Sequence, residues 1–281
     1  MSKWIYLNNH FLPEETACLH VSDLSIQRGY GIFDFFKIID NKPVFLKDHL
    51  NRFYHSAAQM QLPVLKKREE FVSVIYNLIE KNNLPHSGIR ITLTGGYSAD
   101  GYKMAKPNLI ISQYIFPLST KESFEKGIKL ITYHHQRQLP QVKTIDYLMA
   151  IWLQSLIKEK GADDVLYHIN EVITECPRAN FFIVTKDDKL ITPANNILKG
   201  ITRMKVLKLA SNHYQVEEKE ITINDIQNAK EAFITSSTKR ILPVFQVDDY
   251  VIGDKGTNAI TSHLYKQLLA LEQTHVLQTA E

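Results

Sequence analysis

The feature that most limits how this chain can fold is a polar interruption near its middle. Pro117-Leu-Ser-Thr-Lys-Glu-Ser-Phe-Glu-Lys-Gly127 is polar, poor in β-branched residues and bounded by proline and glycine, the composition of a linker. On both sides of it, short strand-like runs alternate with helix-like ones. Before it, the patterns predict strands around Trp4–Leu7, Gly31–Ile38, Ile89–Thr94 and Asn108–Tyr114, with helices over His49–Met60 and Arg68–Lys81. The first helix repeats Leu50, Phe53, Tyr54, Ala57 and Met60 at helical spacing, which gives it a face to pack on a sheet. After the interruption come a strand near Lys129–Tyr133, a helix over Asp146–Lys158 and strands through Asp164–His168 and Asn180–Thr185. A helix over Met204–Ser211, a strand at Glu231–Thr235 and a last helix over Ser262–Glu272 follow. With no repeat in the sequence, the simplest architecture is α+β in two domains. These are a smaller N-terminal α/β domain over 1–116, a linker over 117–127 and a larger C-terminal domain over 128–281, with the cleft between them as the default site.

Composition narrows the class. Of 281 residues, 44% are apolar and 22% charged, as in ordinary globular proteins, and a net charge of +3 is too small to argue for nucleic acid or a membrane surface. Cys18 and Cys176 form no disulfide framework, the N-terminus alternates like a strand, and no apolar run approaches the roughly 20 residues that span a bilayer. The expectation is a cytoplasmic protein. The 11 histidines show no ligand spacing, and the neighbours His134 and His135 would face opposite ways on a strand, so no metal is expected.

Five local signals could carry chemistry, and each also has a plainer reading. Lys143, in Pro140-Gln-Val-Lys-Thr-Ile-Asp-Tyr-Leu-Met-Ala150, stands just ahead of an apolar helical pattern. Partial burial there would lower its pKa and make it a nucleophile, or it could simply snorkel from a helix edge. Glu175 ends a strand before a turn, where a buried carboxylate could hold a proton on a pyridine nitrogen or, solvated, do nothing. Asn180 would order that turn. Gly200 before a helix lets the amides of Ile201 and Thr202 meet a phosphate, or it caps a helix and no more. Thr235-Ser-Ser-Thr238 offers hydroxyls to an anion or is a polar loop, and Arg52 has the planar fork that suits phosphate or a surface ion pair.

Taken in order, these segments say more than they do singly. Gly29-Tyr-Gly-Ile-Phe-Asp34, His49-Leu-Asn-Arg52, Lys143-Thr-Ile-Asp-Tyr-Leu148, Glu175 to Asn180-Phe-Phe, Ile197-Leu-Lys-Gly-Ile-Thr-Arg203 and Thr235-Ser-Ser-Thr238 ahead of Pro243-Val resemble the class IV aminotransferases over nearly the whole chain. These fold-type IV enzymes include D-amino-acid aminotransferases, branched-chain aminotransferases and aminodeoxychorismate lyases. The resemblance implies the two-domain architecture of that fold, with a mixed sheet or barrel in the larger domain, and pyridoxal 5'-phosphate as cofactor. It implies Lys143 as the Schiff-base lysine, Glu175 as partner of the pyridine nitrogen, and Arg52, the amides of Ile201 and Thr202, and Thr238 as phosphate ligands. Tyr147 would neighbour the phenolic oxygen, although its spacing from the lysine is one residue shorter than in many relatives. A homodimer is implied as well.

The branch of the family turns on how the substrate carboxylate is held. In Arg90-Ile-Thr-Leu-Thr-Gly-Gly-Tyr97, Gly95 and Tyr97 stand where D-amino-acid enzymes have an arginine and a histidine. Arg90, pointing the same way as Thr92 and Thr94, and Arg28, ahead of Gly29, are the replacements this sequence offers, a structural strand arginine and a surface charge being the alternatives. Phe33-Asp-Phe-Phe-Lys37 keeps the lysine of the D-specific pattern, and Phe33 would line the substrate pocket. The expected reaction is transfer of an amino group from a D-amino acid to 2-oxoglutarate or pyruvate. The alternatives are a branched-chain L-amino-acid aminotransferase, an aminodeoxychorismate lyase, or, more remotely, a non-catalytic scaffold.

Overall fold

Residues 3–116, 121–253 and 258–278 are described by the computed structural model, and they divide into two compact units. The first holds residues 3–116 together with Val142–Asp146 and 274–278, and the second holds the rest. A short piece carrying Lys143 therefore belongs with the first unit, although it follows the linker in sequence. Of the expected linker, Lys121–Lys126 is a helix, and 117–120 lie outside the described residues.

In the first unit the elements run β1 (Trp4–Leu7), β2 (His10–Pro13), α1 (Leu24–Arg28), β3 (Gly31–Ile39), β4 (Lys42–Pro43), α2 (Leu46–Gln59), α3 (Arg68–Asn82), β5 (Ser87–Thr94) and β6 (Leu109–Tyr114). The six strands form an antiparallel sheet in the order β2-β1-β6-β5-β3-β4. Alternation along the strands gives this sheet two unlike faces. Ile32, Phe36 and Ile38 of β3 and Ile89, Ile91 and Leu93 of β5 are buried with Leu50, Phe53 and Ala57 of α2 and Phe71, Ile75 and Leu78 of α3. Each of the leucine, isoleucine and phenylalanine side chains contributes about 1.5–3 kcal/mol when removed from water. Phe33, Phe35 and Lys37 occupy the other phase of β3, with Arg90 and Thr92 opposite Phe35 and Phe33 on β5. Helix α2 begins at Leu46, three residues before the expected start, because Phe45 turns the chain in the left-handed region (φ 56°) without a capping side chain to announce it.

The second unit runs α4 (Lys121–Lys126), β7 (Ile128–His134), α5 (Leu148–Trp152), α6 (Gln154–Glu159), β8 (Asp164–Ile169), β9 (Val172–Ile173), β10 (Glu175–Cys176), β11 (Ala179–Val184) and β12 (Leu190–Thr192). It continues α7 (Ile201–Ala210), β13 (Val216–Glu218), α8 (Ile223–Gln227), β14 (Glu231–Ser236), β15 (Arg240–Val247), β16 (Tyr250–Val251) and α9 (Ala259–Gln278), whose residues from 274 on belong to the first unit. Its sheet is mixed, ordered β13-β12-β11-β14-β15-β7-β8-β9, with β10 on β11 and β16 on β15. β11 is buried along its whole length, as a strand covered on both faces must be. The helix expected over Asp146–Lys158 is instead two short ones, α5 and α6. The break turns Leu153 into a cluster with Ile131, Val165 and Tyr167 and leaves Leu148, Ile151 and Trp152 exposed. Among the described residues no helix is long and apolar enough to cross a membrane, and no group of three or more His, Cys, Asp or Glu is set to hold a metal.

Candidate active site

In the first unit, backbone pairing fixes Lys143. The Phe33 amide donates to the Lys143 carbonyl (2.9 Å), the Ile145 amide to the Gly31 carbonyl (3.1 Å), and the Lys143 amide to Ser56 Oγ (3.3 Å). The half-buried side chain runs along the non-helical face of the sheet, its Nζ 4.5 Å from the centre of the Phe33 ring. The Arg90 guanidinium lies 4.0 Å from the same centre, and its Nε donates to Thr92 Oγ1 at 3.3 Å. A ring face attracts cations, so Phe33 holds a guanidinium and an amine together.

Asp34, one residue on, falls in the inward phase of β3 and is fully buried. Arg52 donates to both its oxygens, from Nε and Nη2, at 2.8 Å each, and His49 Nδ1 lies 2.7 Å away. Burial alone would raise the Asp34 pKa, but Arg52 and His49 outweigh it and hold the carboxyl well below the usual range. Burial also dominates at His49 and lowers its pKa despite Asp34, so its ring is neutral and donates to the carboxylate. The expected phosphate arginine is thus oriented by a buried carboxylate. Arg28 ends α1, is exposed, and donates from Nη1 to the Gln27 carbonyl (2.9 Å). No contact joins it to Arg90 among the described residues.

The second unit lines up another set. Register pairs Glu175 with Asn180 and Asn180 with Thr235, so three polar side chains form a row across β10, β11 and β14, each at most 5% exposed. Glu175 Oε1 accepts from Arg137 Nε (2.9 Å) and Nη2 (2.8 Å), and Oε2 from the Leu198 amide (2.9 Å). Asn180 ties down the same loop, donating to the Leu198 carbonyl (2.7 Å) and accepting from the Gly200 amide (3.2 Å). A Cβ on Gly200 would stand 2.3 Å from Asn180 Oδ1, so any larger residue forces the Asn180 side chain or this backbone to shift. Immediately after it α7 starts without a side-chain cap. Its first backbone bond is from Met204 to Gly200, which leaves the amides of Ile201, Thr202 and Arg203 unused within the helix. Thr235 Oγ1 is buried with no hydrogen-bond partner among the described residues. Thr238, by contrast, is exposed in the turn before β15, with its Oγ1 3.4 Å from Ser236 Oγ. Tyr147 is half-buried at the start of α5. Cys176 is fully buried and burial raises its thiol pKa, so it packs and does not react.

Sequence reading missed two residues. Asp34 stood inside a quoted motif, and its phase among Ile32, Phe36 and Ile38 was the available signal, since a buried carboxylate needs a cation. Arg137 had no local signal, because its partner is 38 residues away. An uncapped helix N-terminus, a glycine cradle and an orphaned buried hydroxyl fit a phosphate ester, and a buried carboxylate held by Arg137 and the Leu198 amide fits a protonated ring nitrogen.

The chain is 33% identical over 272 residues (92% of this chain, 93% of the relative) to a Methanocaldococcus jannaschii protein with the provisional name branched-chain-amino-acid aminotransferase. It is 28% identical to a D-alanine aminotransferase of Listeria monocytogenes, over 93% of both chains. Its fold matches that of the Escherichia coli branched-chain amino acid aminotransferase, at a TM-score of 0.90, 24% identity and coverage of 97% of this chain and 95% of the other. The model of amino-transferase class IV matches residues 31–247. The chain therefore belongs to the class IV aminotransferases, which use pyridoxal 5'-phosphate to act on amino acids and 2-oxo acids.

Proposed function

We propose that this chain transfers the amino group between a D-amino acid and a 2-oxo acid, 2-oxoglutarate or pyruvate, in a ping-pong exchange. The observation that carries the reading is the pair of cations on Phe33, Arg90 at 4.0 Å and Lys143 at 4.5 Å from one ring centre. A carboxylate bound by Arg90 sets the adjoining Cα beside the Lys143 amine, and the exposed Arg28, from the same or a second copy in a homodimer, completes the grip. Lys37, buried on the same phase of β3 as Phe33, matches the D-specific pattern, and the Listeria relative carries a D-specific name.

Pyridoxal phosphate, when bound, supplies the electron sink that makes the Cα–H bond acidic. Lys143 would take the Cα proton and return it in the course of the exchange. Glu175 would keep the ring nitrogen charged, and Tyr147 would stand by the phenolic oxygen. Arg52, the amides of Ile201 and Thr202, Thr235 and Thr238 bind the phosphate, with Asn180 and Gly200 holding the loop that presents those amides.

The Methanocaldococcus relative favours a second reading, a branched-chain L-amino-acid aminotransferase. The test follows the absorbance of bound cofactor after adding D-alanine or D-glutamate and, separately, L-leucine or L-glutamate. A change with only the D forms is expected. A change with only the L forms establishes the second reading. No change with either rejects both, and release of pyruvate from aminodeoxychorismate would then identify a lyase.

A further inference from the structure

We propose that Arg137 is a positioning residue that keeps the shared proton on the cofactor's ring nitrogen instead of on Glu175. The inference rests on the reading above that Glu175 faces that nitrogen. A buried carboxylate left to itself binds a proton more tightly than one in water, because desolvation disfavours its charge. Such a carboxylate would compete with the pyridine nitrogen, and a neutral ring is a poorer electron sink. Glu175 is only 5% exposed, so burial pushes in that direction.

Arg137 opposes it. Its Nε and Nη2 both donate to Oε1 (2.9 and 2.8 Å), and the Leu198 amide takes up Oε2 (2.9 Å). Three donors on two oxygens stabilise the charged carboxylate, which has acceptors to give and no proton. Burial raises the Tyr167 hydroxyl and the Cys176 thiol and keeps both neutral, Asp164 is engaged by Lys239 at 3.3 Å, and Arg178 is exposed. Arg137 lies directly on the carboxylate, so its field acts more strongly there than on a nitrogen beyond it. Its Nη2 also donates to the Pro140 carbonyl, three residues before Lys143. One rigid guanidinium thus ties the Glu175 carboxylate to the segment leading to the reactive lysine, a double role the lysine ammonium fills poorly.

The test loads holoenzyme with cofactor labelled with 15N at the ring nitrogen and reads its chemical shift, together with the cofactor dissociation constant. The wild type should show the protonated signal. Arg137→Gln should move it most of the way to the unprotonated signal, and Arg137→Lys, which keeps the charge, should retain the protonated signal even where its geometry costs affinity. Glu175→Gln should move the signal fully. A protonated signal in R137Q beside a displaced one in E175Q would overturn the proposal while leaving Glu175 in its role. Should R137Q fail to hold cofactor, loss of the protonated signal in R137K would overturn it equally. An unmoved signal in E175Q would instead reject the pairing of Glu175 with the ring nitrogen.

Discussion

Gly200→Ala puts the phosphate cradle to a quantitative test. The Gly200 backbone (φ −66°, ψ 144°) is open to any residue, so only space forbids alanine. The added Cβ would stand 2.3 Å from Asn180 Oδ1, against an ordinary contact of 3.4 Å or more, so one of them must move by about 1 Å. If Asn180 swings away, it loses its bonds to the Gly200 amide (3.2 Å) and the Leu198 carbonyl (2.7 Å). Two hydrogen bonds contribute about 1 kcal/mol each. The lower entropy of the unfolded alanine chain returns about 0.4–1 kcal/mol, leaving a net loss of about 1–2 kcal/mol. The same shift misaims the amides of Ile201 and Thr202, and a comparable loss in binding weakens cofactor affinity about tenfold. Urea unfolding of the apoprotein and cofactor titration by fluorescence measure the two effects. Because the clash is with one atom, the cost should fall by about 1 kcal/mol in an Asn180→Ala background. Equal cost in both backgrounds, or wild-type stability and affinity in the single variant, would refute the argument.

Other consequences are as specific. Thr235→Val removes a buried hydroxyl with no protein partner among the described residues, so apoprotein stability should hold within about 1 kcal/mol or rise while cofactor affinity falls severalfold. Weakened stability with unchanged affinity would mean the hydroxyl serves the fold. Arg90→Ala and Arg28→Ala should each raise the substrate KM sharply with cofactor still bound, and unchanged steady-state kinetics in both would reject the carboxylate assignment. His49 has a lowered pKa, so below about pH 6.5 the unfolded chain takes up a proton that the native ring refuses. Its contribution is complete above pH 6.5 and falls as pH drops toward the native value, by at most about 1.4 kcal/mol per pH unit. Denaturation curves between pH 7 and 5 should show a shallower slope in His49→Asn than in the wild type, part of the slope remaining because burial also lowers the pKa of His168. Asp34 is shifted down and acts only in stronger acid, below about pH 4.

How far the sequence alone could be read follows from where the information lies. β1 was legible to the residue because its boundaries are set by its own pattern. β15 was not, since Pro243 sits inside the strand and reads as a breaker; the ladder accommodates it next to a register shift between Val244 and Gln246. The long helix after Lys143 is split because burying Leu153 needs a turn, a tertiary demand without a local mark. Of the residues proposed for the site, Lys143, Glu175 and Gly200 stand out in the sequence through order and spacing. Their support does not, because the partnership of Arg137 with Glu175 and the row joining Thr235 to Asn180 exist only through strand register. Phe33 could be proposed as a pocket wall from its motif, but that it carries both Arg90 and Lys143 is a fact of packing.

The central claim is that Lys143 is the amine joined to the cofactor. Borohydride reduction of the holoenzyme, followed by digestion and peptide mass spectrometry, tests it directly. The account predicts a phosphopyridoxyl group on Lys143 and none after Lys143→Ala; the group on another lysine, or its retention in that variant, would contradict it.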